Sequence, residues 1–218
     1  MKTKKEVSYI LSIISGMYPD IRTELDYQTS FQFLIAVILS AQTTDKQVNR
    51  TTPELFSLVR EPGDIWKLSI SEIERMVSSV NFYKNKAKFI RDTGEKLVRE
   101  FESMIPNDLK KLQTLPGVGI KTAKVVLSVL YDAPYVWVDT HVHRVMNRIG
   151  VVKTKRPEET DVCIEKKLTY EQKLTAHHPL VLFGRYHCTA RKPKCTICPL
   201  QEKCDFAQQE LISVRKSI

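Results

Sequence analysis

The feature that most constrains this chain is a group of four cysteines between residues 188 and 204, separated by six, two and five residues. Four thiolates held so close together form a tetrahedral sulfur site, which suits zinc or an iron–sulfur cluster, and the spacing alone does not choose between them. Disulfide bonds are disfavoured because no secretion signal is recognisable. The C-terminal part of the chain is therefore expected to fold around a metal centre. The four are Cys188, Cys195, Cys198 and Cys204, whereas Cys163 stands apart and is expected to be a small buried side chain.

The first residues combine a basic start with an apolar stretch, as a signal peptide does. Polar residues interrupt the stretch, however, and no small-residue cleavage site follows it. Val7, Ile10, Leu11 and Ile14 instead follow the spacing of an amphipathic helix, which we expect to end near Pro19. The sequence has no apolar run of about eighteen residues, so we expect no membrane span and a cytoplasmic location.

The rest of the chain reads as helical almost throughout, because few segments alternate with period two and glycine is scarce. The segment TSFQFLIAVILSAQ is apolar on all sides, which predicts a helix at the centre of a core. A hydrophobic fraction of 42% is enough for one large domain or two small ones. Capping boxes at Thr29/Gln32 and Ser71/Glu74 and a cap at Asn107 or Asp108 predict where three helices begin. A helix with one buried face is predicted between Lys84 and Phe101, and another over about 120–131. Gly150 is predicted to end a further helix, and the last helix is predicted to begin at TYEQKL.

The segment TLPGVGIKTAKVVLSVL, residues 114–130, places two glycines and a proline directly before an apolar helix. It lacks the spacings of the Rossmann and P-loop nucleotide motifs, and no strand precedes it. What remains is a helix, a tight turn and a second helix. Gly117 and Gly119 are expected to turn the chain with positive φ and to leave N–H groups open to a phosphate, with Leu115 and Val118 packed beneath. The alternative is a plain turn between two core helices.

A net charge of +9 favours a polyanionic partner, with nucleic acid ahead of an anionic membrane surface. Part of the excess lies between the first two cysteines, where TARKPK would form a loop pinned at both ends by metal bonds. Arg191, Lys192 and Lys194 on this loop are expected to contact a DNA backbone. The alternative is a solvated basic surface.

The segment LPGVGIKTA, followed eighteen residues after Lys121 by Asp139 in VDTHVHR, resembles the helix-hairpin-helix (HhH-GPD) DNA glycosylases, and most of all the endonuclease III family. The resemblance covers about residues 28–208. It implies an all-α fold of two helical lobes with a central cleft, a helix-hairpin-helix motif and a C-terminal iron–sulfur cluster loop. The implied domains are a helical bundle at 22–132, with the motif at about 107–131, and a cluster domain made of 1–21 and 133–218.

The resemblance implies a bifunctional DNA glycosylase and AP lyase of base excision repair, which removes oxidised pyrimidines from duplex DNA. Lys121 would be the nucleophile that forms a Schiff base with the sugar, and Asp139 its electrostatic partner. Strand cleavage would follow by β-elimination. A position in the first turn of a helix, together with partial burial, is expected to disfavour the ammonium form of Lys121. Without the resemblance, Lys121 would be a solvated lysine and Asp139 an N-cap.

The same resemblance implies a [4Fe–4S] cluster on the four cysteines and two loops that replace the flipped base. Gln42 in LSAQ and Phe82 in VNFYKNKA would fill the gap, although the family often has Leu at the second position. Ile120 stands where an Arg often precedes the catalytic Lys. The implied DNA-binding residues are Gln42, Phe82, Leu115, Gly117, Val118, Gly119, Ile120, His141, Arg191, Lys192 and Lys194.

Two alternatives stay open from the sequence. One is a monofunctional or mismatch-specific glycosylase of the same fold, against which the presence of Lys121 argues. The other is a zinc-stabilised DNA-binding module without catalysis. Under the leading interpretation the partner is double-stranded DNA with damaged bases or abasic sites. The protein is then expected to be a monomer in the cytoplasm, associated with the nucleoid and not with a membrane.

Overall fold

The computed structural model describes residues 1–19 and 23–209, and the regular structure of these residues is helical, without a strand. The prediction of an all-α fold is therefore confirmed. Among the described residues, no helix combines the length and the apolar character needed to cross a membrane. The α-helices of this part are α1 Lys4–Met17, α2 Ser30–Ser40, α3 Asp45–Leu58, α4 Ile70–Met76, α5 Tyr83–Glu100, α6 Leu109–Gln113, α7 Ile120–Tyr131, α8 Thr140–Ile149, α9 Pro157–Lys167 and α10 Tyr170–Leu182.

The chain divides by its internal contacts into two compact units. The hairpin unit is Thr23–Ala133, and the cysteine unit joins Met1–Arg22 to Pro134–Ile218. The central cleft and the functional domains expected at 22–132 and at 1–21 with 133–218 stay predictions. Positions 20–22 and 210–218 of those domains lie outside the described residues.

Helix α2 forms the centre of the hairpin unit. Its side chains from Phe31 to Leu39 are buried on every face. Helices α3, α5 and α7 contact it, which explains why its apolar run is continuous rather than periodic. Gln32 is the polar exception, and its amide is satisfied because it donates to the carbonyls of Phe56 and Val59, each at 2.9 Å.

The core of the cysteine unit is built on α1, α8 and α10. Helix α10 packs against both α1 and α8. Cys188 and Cys204 belong to this core, so the cysteine cluster lies against packed helices rather than on a separate loop. Cys163 is only half-buried against the core, and the full burial expected for it is wrong. The predicted stripe of α1 is buried, and its members are Val7, Ile10, Leu11 and Ile14.

Most predicted helix ends are confirmed. The capping box at Thr29 is only half formed, because Thr29 Oγ1 accepts the Gln32 N–H but Gln32 Oε1 accepts the Gln28 N–H. Asp108 caps α6, and Gly150 ends α8 in the left-handed conformation with φ 90°. The capping box expected to begin at Ser71 is wrong by two residues. It begins at Ser69, whose hydroxyl accepts the Glu72 N–H at 3.2 Å. The buried residues of α4 are Ile73 and Met76.

Candidate active site and cysteine cluster

The hairpin between α6 and α7 contains one glycine that the backbone requires. Gly117 has φ 75°, a conformation that residues with a Cβ rarely adopt. A Cβ at this position would also come within 2.8 Å of the Phe89 ring of α5. Thr93 of the same helix donates through Oγ1 to the Pro116 carbonyl at 2.9 Å. The turn is thus fixed on α5 by close packing and a hydrogen bond.

Gly119 differs from the prediction made for it. It has φ −80° and ψ 177°, so the expected positive φ is wrong at this position. It is the N-cap of α7, and no atom lies within 4 Å of the place where its Cβ would stand. The space at the start of α7 is therefore open, and the first N–H groups of a helix have no helical acceptor. Such a helix start attracts an anion.

The residues flanking these glycines divide into buried and exposed ones. Leu115 and Val118 are 2% and 5% exposed, so their expected DNA contacts cannot involve their side chains. The Val118 N–H is also engaged, since it donates to the Leu115 carbonyl at 3.1 Å. Ile120 is 52% exposed at the start of α7. Of the three, only the Ile120 side chain can reach a ligand.

Lys121 is the second residue of α7, and its side chain is exposed. The expectation of partial burial is therefore wrong. The reason is the register of α7, whose buried face includes Ala123, Val126 and Leu127 and excludes Lys121. The structure thus provides an exposed primary amine two residues after the open position at Gly119.

Asp139 is the N-cap of α8, as its sequence context predicts. Its Oδ1 accepts the Val142 N–H at 2.7 Å. The carboxylate is partly buried, and this cap is the hydrogen bond that the described residues give it. A second role for the other oxygen, Oδ2, is therefore compatible with the cap. Lys121 belongs to the hairpin unit and Asp139 to the cysteine unit, so their convergence on one sugar stays a prediction.

The segment that leads to Asp139 is anchored by a pair of rings. Trp137 stacks on His177 of α10 with the ring centroids 3.0 Å apart and an interplanar angle of 30°. Burial lowers the pKa of His177 well below its usual value. Its Nδ1 is buried without a hydrogen-bond partner in the described structure. Burial therefore favours the neutral form of His177, and a hydrogen bond with the Trp137 backbone partly offsets this effect on the pKa.

His141 lies in the first turn of α8 and is partly buried. Its Nδ1 lies 3.2 Å from Arg144 Nη2, and a Cβ at Gly184 would come within 2.8 Å of its own Cβ. Arg144 also donates to the Gly184 carbonyl at 2.7 Å and to the Cys188 carbonyl at 3.1 Å. Arg144 thus connects the start of α8 to the segment that carries the first cysteine. The expected contact of His141 with DNA stays a prediction.

Gln42 and Phe82, expected to replace a flipped base, share an unusual backbone. Their φ angles are 55° and 59°, although neither is a glycine. A left-handed conformation costs roughly 1–2 kcal/mol for a residue with a Cβ, so neighbouring contacts must hold both turns. Both residues are exposed, and Phe82 leaves 62% of its surface free. A phenylalanine this exposed contributes little to a core.

The four cysteines of the C-terminal cluster line one cavity in the cysteine unit. The remaining lining is largely apolar and includes Phe183, Leu200 and Phe206. No disulfide bond joins cysteines of the described residues. Burial raises the pKa of the Cys198 and Cys204 thiols, so thiolates in this cavity need a cation to stay deprotonated. The iron of a cluster supplies such a cation when it is bound.

His187 gives independent support for a bound group in this cavity. It lines the cavity and is 8% exposed, and its Nε2 lacks a hydrogen-bond partner among the described residues. A buried nitrogen of this kind calls for an acceptor, which a cluster offers through its sulfur atoms. Within residues 1–19 and 23–209, no three His, Cys, Asp or Glu side chains are arranged around a single metal ion. Four cysteines that line one cavity are the ligand set of a [4Fe–4S] cluster, so the residues present fit this group.

The loop between the first two cysteines is braced by α8. Arg148 donates to the carbonyls of Thr189 and Ala190 at 2.7 and 2.8 Å, and its Nη1 lies 3.6 Å from Cys188 Sγ. These bonds fix the backbone of the loop while leaving its charged side chains in solvent. The side chains that it presents are all exposed, and they are Arg191, Lys192 and Lys194.

Two parts of the chain match known families. Residues 35–169 match the HhH-GPD superfamily of base excision DNA repair proteins, and residues 188–204 match the iron-sulfur binding domain of endonuclease III. Endonuclease III of Rickettsia conorii is 43% identical over 200 residues, which cover 92% of this chain and 95% of the relative. Endonuclease III of Bacillus subtilis is 38% identical over 210 residues, 96% of each chain.

The chain belongs to the endonuclease III family. A solved structure of a trapped endonuclease III–DNA covalent intermediate shares the fold with a TM-score of 0.88 at 38% identity, and the match covers 97% of this chain and 100% of that chain. A thermostable thymine-DNA glycosylase shares the fold with a TM-score of 0.83 at 22% identity, over 94% of this chain and 98% of that one. Because the cysteine segment matches the iron–sulfur domain of endonuclease III, the zinc alternative is wrong and the predicted [4Fe–4S] cofactor is confirmed.

The sequence did not reveal the residues that hold the functional segments of this endonuclease III relative in place. Arg144 and Arg148 lie four positions apart on α8, and both donate to carbonyls between Gly184 and Ala190. Their spacing of four residues places both on one face of a helix, but many surface arginines have the same spacing, so it does not identify them. Lys86 is 4% exposed, although lysines are rarely buried, and no sequence pattern marks it.

Proposed function

We propose that this protein is a bifunctional DNA glycosylase and AP lyase, which removes oxidised pyrimidines from duplex DNA and cuts the strand at the resulting site. The observation that carries the proposal is the exposed Lys121 amine, two residues after the open position at Gly119. A solved relative 38% identical to this chain is a trapped covalent intermediate between endonuclease III and DNA. Such an intermediate requires a nucleophile, and an amine in this position supplies one.

The first chemical step exchanges one bond at the sugar for another. The neutral Nζ of Lys121 attacks C1′, and the bond between C1′ and the base breaks as the Nζ–C1′ bond forms. The base leaves with the electron pair of the broken bond and takes up a proton, while Nζ loses one. Positive charge builds on the sugar during this exchange, so a nearby carboxylate lowers the barrier. Asp139 is the proposed carboxylate, because its α8 cap uses only Oδ1.

The second step cuts the strand through the same lysine. Opening of the sugar ring gives an imine between Nζ and C1′, which makes a C2′ proton acidic. Loss of that proton and departure of the 3′ phosphate break the C3′–O bond by β-elimination. Water then hydrolyses the imine and frees Lys121. An enzyme that uses water instead of an amine stops at the abasic site, so Lys121 distinguishes the bifunctional proposal from the monofunctional alternative.

The damaged base must leave the stack before this chemistry begins. Gln42 and Phe82 are the proposed residues that occupy the vacated space, because both lie exposed in left-handed turns of the hairpin unit. The Phe82 ring can wedge between base pairs or stack on the base opposite the lesion. We therefore propose that Phe82 affects the preference for that opposite base.

Two segments are proposed to bind the DNA backbone. The start of α7 offers N–H groups and the positive end of a helix dipole to a phosphate, and Ile120 and His141 are proposed to lie along the DNA. The braced loop offers the charges of Arg191, Lys192 and Lys194. A cluster bound by Cys188 and Cys195 would hold both ends of this loop. Action on chromosomal DNA would place the protein in the cytoplasm, at the nucleoid.

Strand cleavage on a panel of duplexes tests the proposed function. The holoprotein is incubated with duplexes that carry a single thymine glycol, uracil, 8-oxoguanine or abasic site. We expect cleavage at thymine glycol and at the abasic site, and loss of both in Lys121→Ala but not in Lys110→Ala, an exposed lysine of α6. Base release without cleavage would favour the monofunctional alternative. Activity confined to mismatched uracil would favour the mismatch-specific one.

A further inference from the structure

Lys86 is a buried lysine of α5 that the proposed reaction does not use. It is 4% exposed. Its Nζ donates to the Leu39 carbonyl at 2.8 Å, to the Ala41 carbonyl at 2.6 Å and to Thr43 Oγ1 at 3.2 Å. Burial lowers the pKa of the Lys86 ammonium. Three acceptors match the three N–H groups of an ammonium, which explains how a lysine is tolerated at this depth.

The acceptors of Lys86 flank Gln42 on both sides. The carbonyls of Leu39 and Ala41 lie at the end of α2, where the last carbonyls of a helix lack helical partners and the dipole favours a cation. Thr43 follows Gln42 directly. Lys86 therefore holds the backbone before Gln42 and the Thr43 hydroxyl after it, and leaves the Gln42 side chain exposed.

The second turn begins the helix that carries Lys86 and is linked to the first turn by Asn81. The Lys86 N–H donates to the Phe82 carbonyl at 3.1 Å in the first turn of α5. Asn81 precedes Phe82 and donates through Nδ2 to the Gln42 carbonyl at 2.6 Å. The two left-handed turns are thus bound to each other through Asn81, and the Lys86 side chain holds the one that contains Gln42.

We infer that Lys86 is a positioning residue for base extrusion, which holds the turn of Gln42, and through Asn81 the turn of Phe82, in the geometry that fills the gap in the duplex. Asn81 couples the two turns. The inference rests on the proposed function, since it concerns the step that precedes the chemistry at Lys121. Lys86 does not touch the reacting atoms and acts only through the two turns.

The experiment measures kcat/KM on thymine glycol duplexes together with the fluorescence of 2-aminopurine placed opposite the lesion. This fluorescence rises when an inserted side chain disturbs the stacking of the base. Lys86→Met should lower kcat/KM about tenfold or more, as expected for the loss of charged hydrogen bonds, and should abolish most of the rise. Lys88→Met removes the same charge from an exposed position of α5 and should leave both readouts at wild-type values.

A double-mutant comparison separates positioning from a general structural effect. In the Gln42→Ala/Phe82→Ala background, Lys86→Met should cause little further loss, because the side chains that it positions are gone. An equal loss in both backgrounds, or a wild-type fluorescence rise in Lys86→Met, would overturn the inference. Should Lys86→Met fail to fold, as judged by circular dichroism and the visible absorbance of the cluster, Asn81→Ala at an exposed position takes its place with the same two criteria.

Failure of this inference is distinguishable from failure of the proposed function. Borohydride trapping of the wild-type holoprotein on an abasic duplex tests the amine of Lys121 and needs no damaged base to be excised. An untrapped wild type would remove the proposed function. A trapped wild type, combined with a normal fluorescence rise in Lys86→Met, would remove the positioning role alone.

Discussion

Gly117 and Gly119 stand two residues apart in the hairpin, and only Gly117 is required by the structure of the protein itself. Gly117 has φ 75°, and a Cβ there would come within 2.8 Å of the Phe89 ring. Gly119 has φ −80°, and a Cβ there would meet no atom within 4 Å. A glycine that neither backbone nor packing requires leaves room for a group from outside the protein, which under the proposed function is a DNA phosphate.

The two alanine substitutions should therefore have different effects. Gly117→Ala should lower the free energy of unfolding by about 1–3 kcal/mol, because the left-handed backbone and the contact with Phe89 both penalise a Cβ. Gly119→Ala should cost less than about 1 kcal/mol but weaken binding to an abasic duplex. Urea unfolding and fluorescence anisotropy measure the two quantities.

Gly63→Ala is the matched control for this pair, because a Cβ at Gly63 also meets nothing within 4 Å and Gly63 has no proposed role in DNA binding. It should change neither stability nor affinity appreciably. Gly119→Ala with wild-type affinity would contradict the phosphate site at the start of α7.

The braced loop predicts a specific salt dependence. Replacement of Arg191, Lys192 and Lys194 by Gln should reduce the slope of log K against log salt by about 0.9 for each phosphate contact that is lost. Lys166→Gln, at an exposed position of α9, should leave the slope unchanged. Anisotropy titrations at several salt concentrations measure it. A triple variant with the wild-type slope would show that this loop is a solvated surface.

His177 predicts a loss of stability in mild acid. Burial lowers its pKa well below 6.5 in the folded protein, whereas the unfolded chain keeps a value near 6.5. The unfolded state therefore binds a proton first as the pH falls. The free energy of unfolding is therefore unaffected by His177 above pH 6.5. Below that pH it falls by up to about 1.4 kcal/mol per pH unit.

The change His177→Gln should make this decline shallower. Urea unfolding of the holoprotein between about pH 5 and pH 8 measures the slope of the unfolding free energy against pH. An identical slope in wild type and variant would show that His177 is not the group responsible.

Local features of the fold were predictable from the sequence because they depend on neighbouring residues. The buried stripe of α1, the bounds of α7 and the stop at Gly150 follow from spacing and from one glycine. Helices α3 and α9 were not predicted. Helix α3 contains Pro53 and many polar residues, and α9 begins with Pro157 and has little apolar periodicity. These two helices form because they pack against the rest of their units, and no local sequence pattern reveals that packing.

The candidate site was predictable only where a motif fixes it. The four cysteines and the glycine hairpin are local sequence patterns. Lys121 and Asp139 were predicted from the resemblance to the endonuclease III family. The exposure of Lys121 depends on how α7 is rotated against its core, and the sequence does not reveal that rotation. Lys86 reaches Leu39 across 47 positions of the chain, so its role emerges only from the folded contacts.

Borohydride reduction during incubation with an abasic duplex tests the central claim most directly, because it converts the imine at Lys121 into a stable adduct. We predict an adduct of one protein and one DNA strand for the wild-type holoprotein, and about 100-fold slower formation in Asp139→Asn. Lys121→Ala should form none, although its fold and its cluster absorbance remain. An adduct that persists in Lys121→Ala, or none in the wild type, would contradict the assignment of Lys121 as the nucleophile.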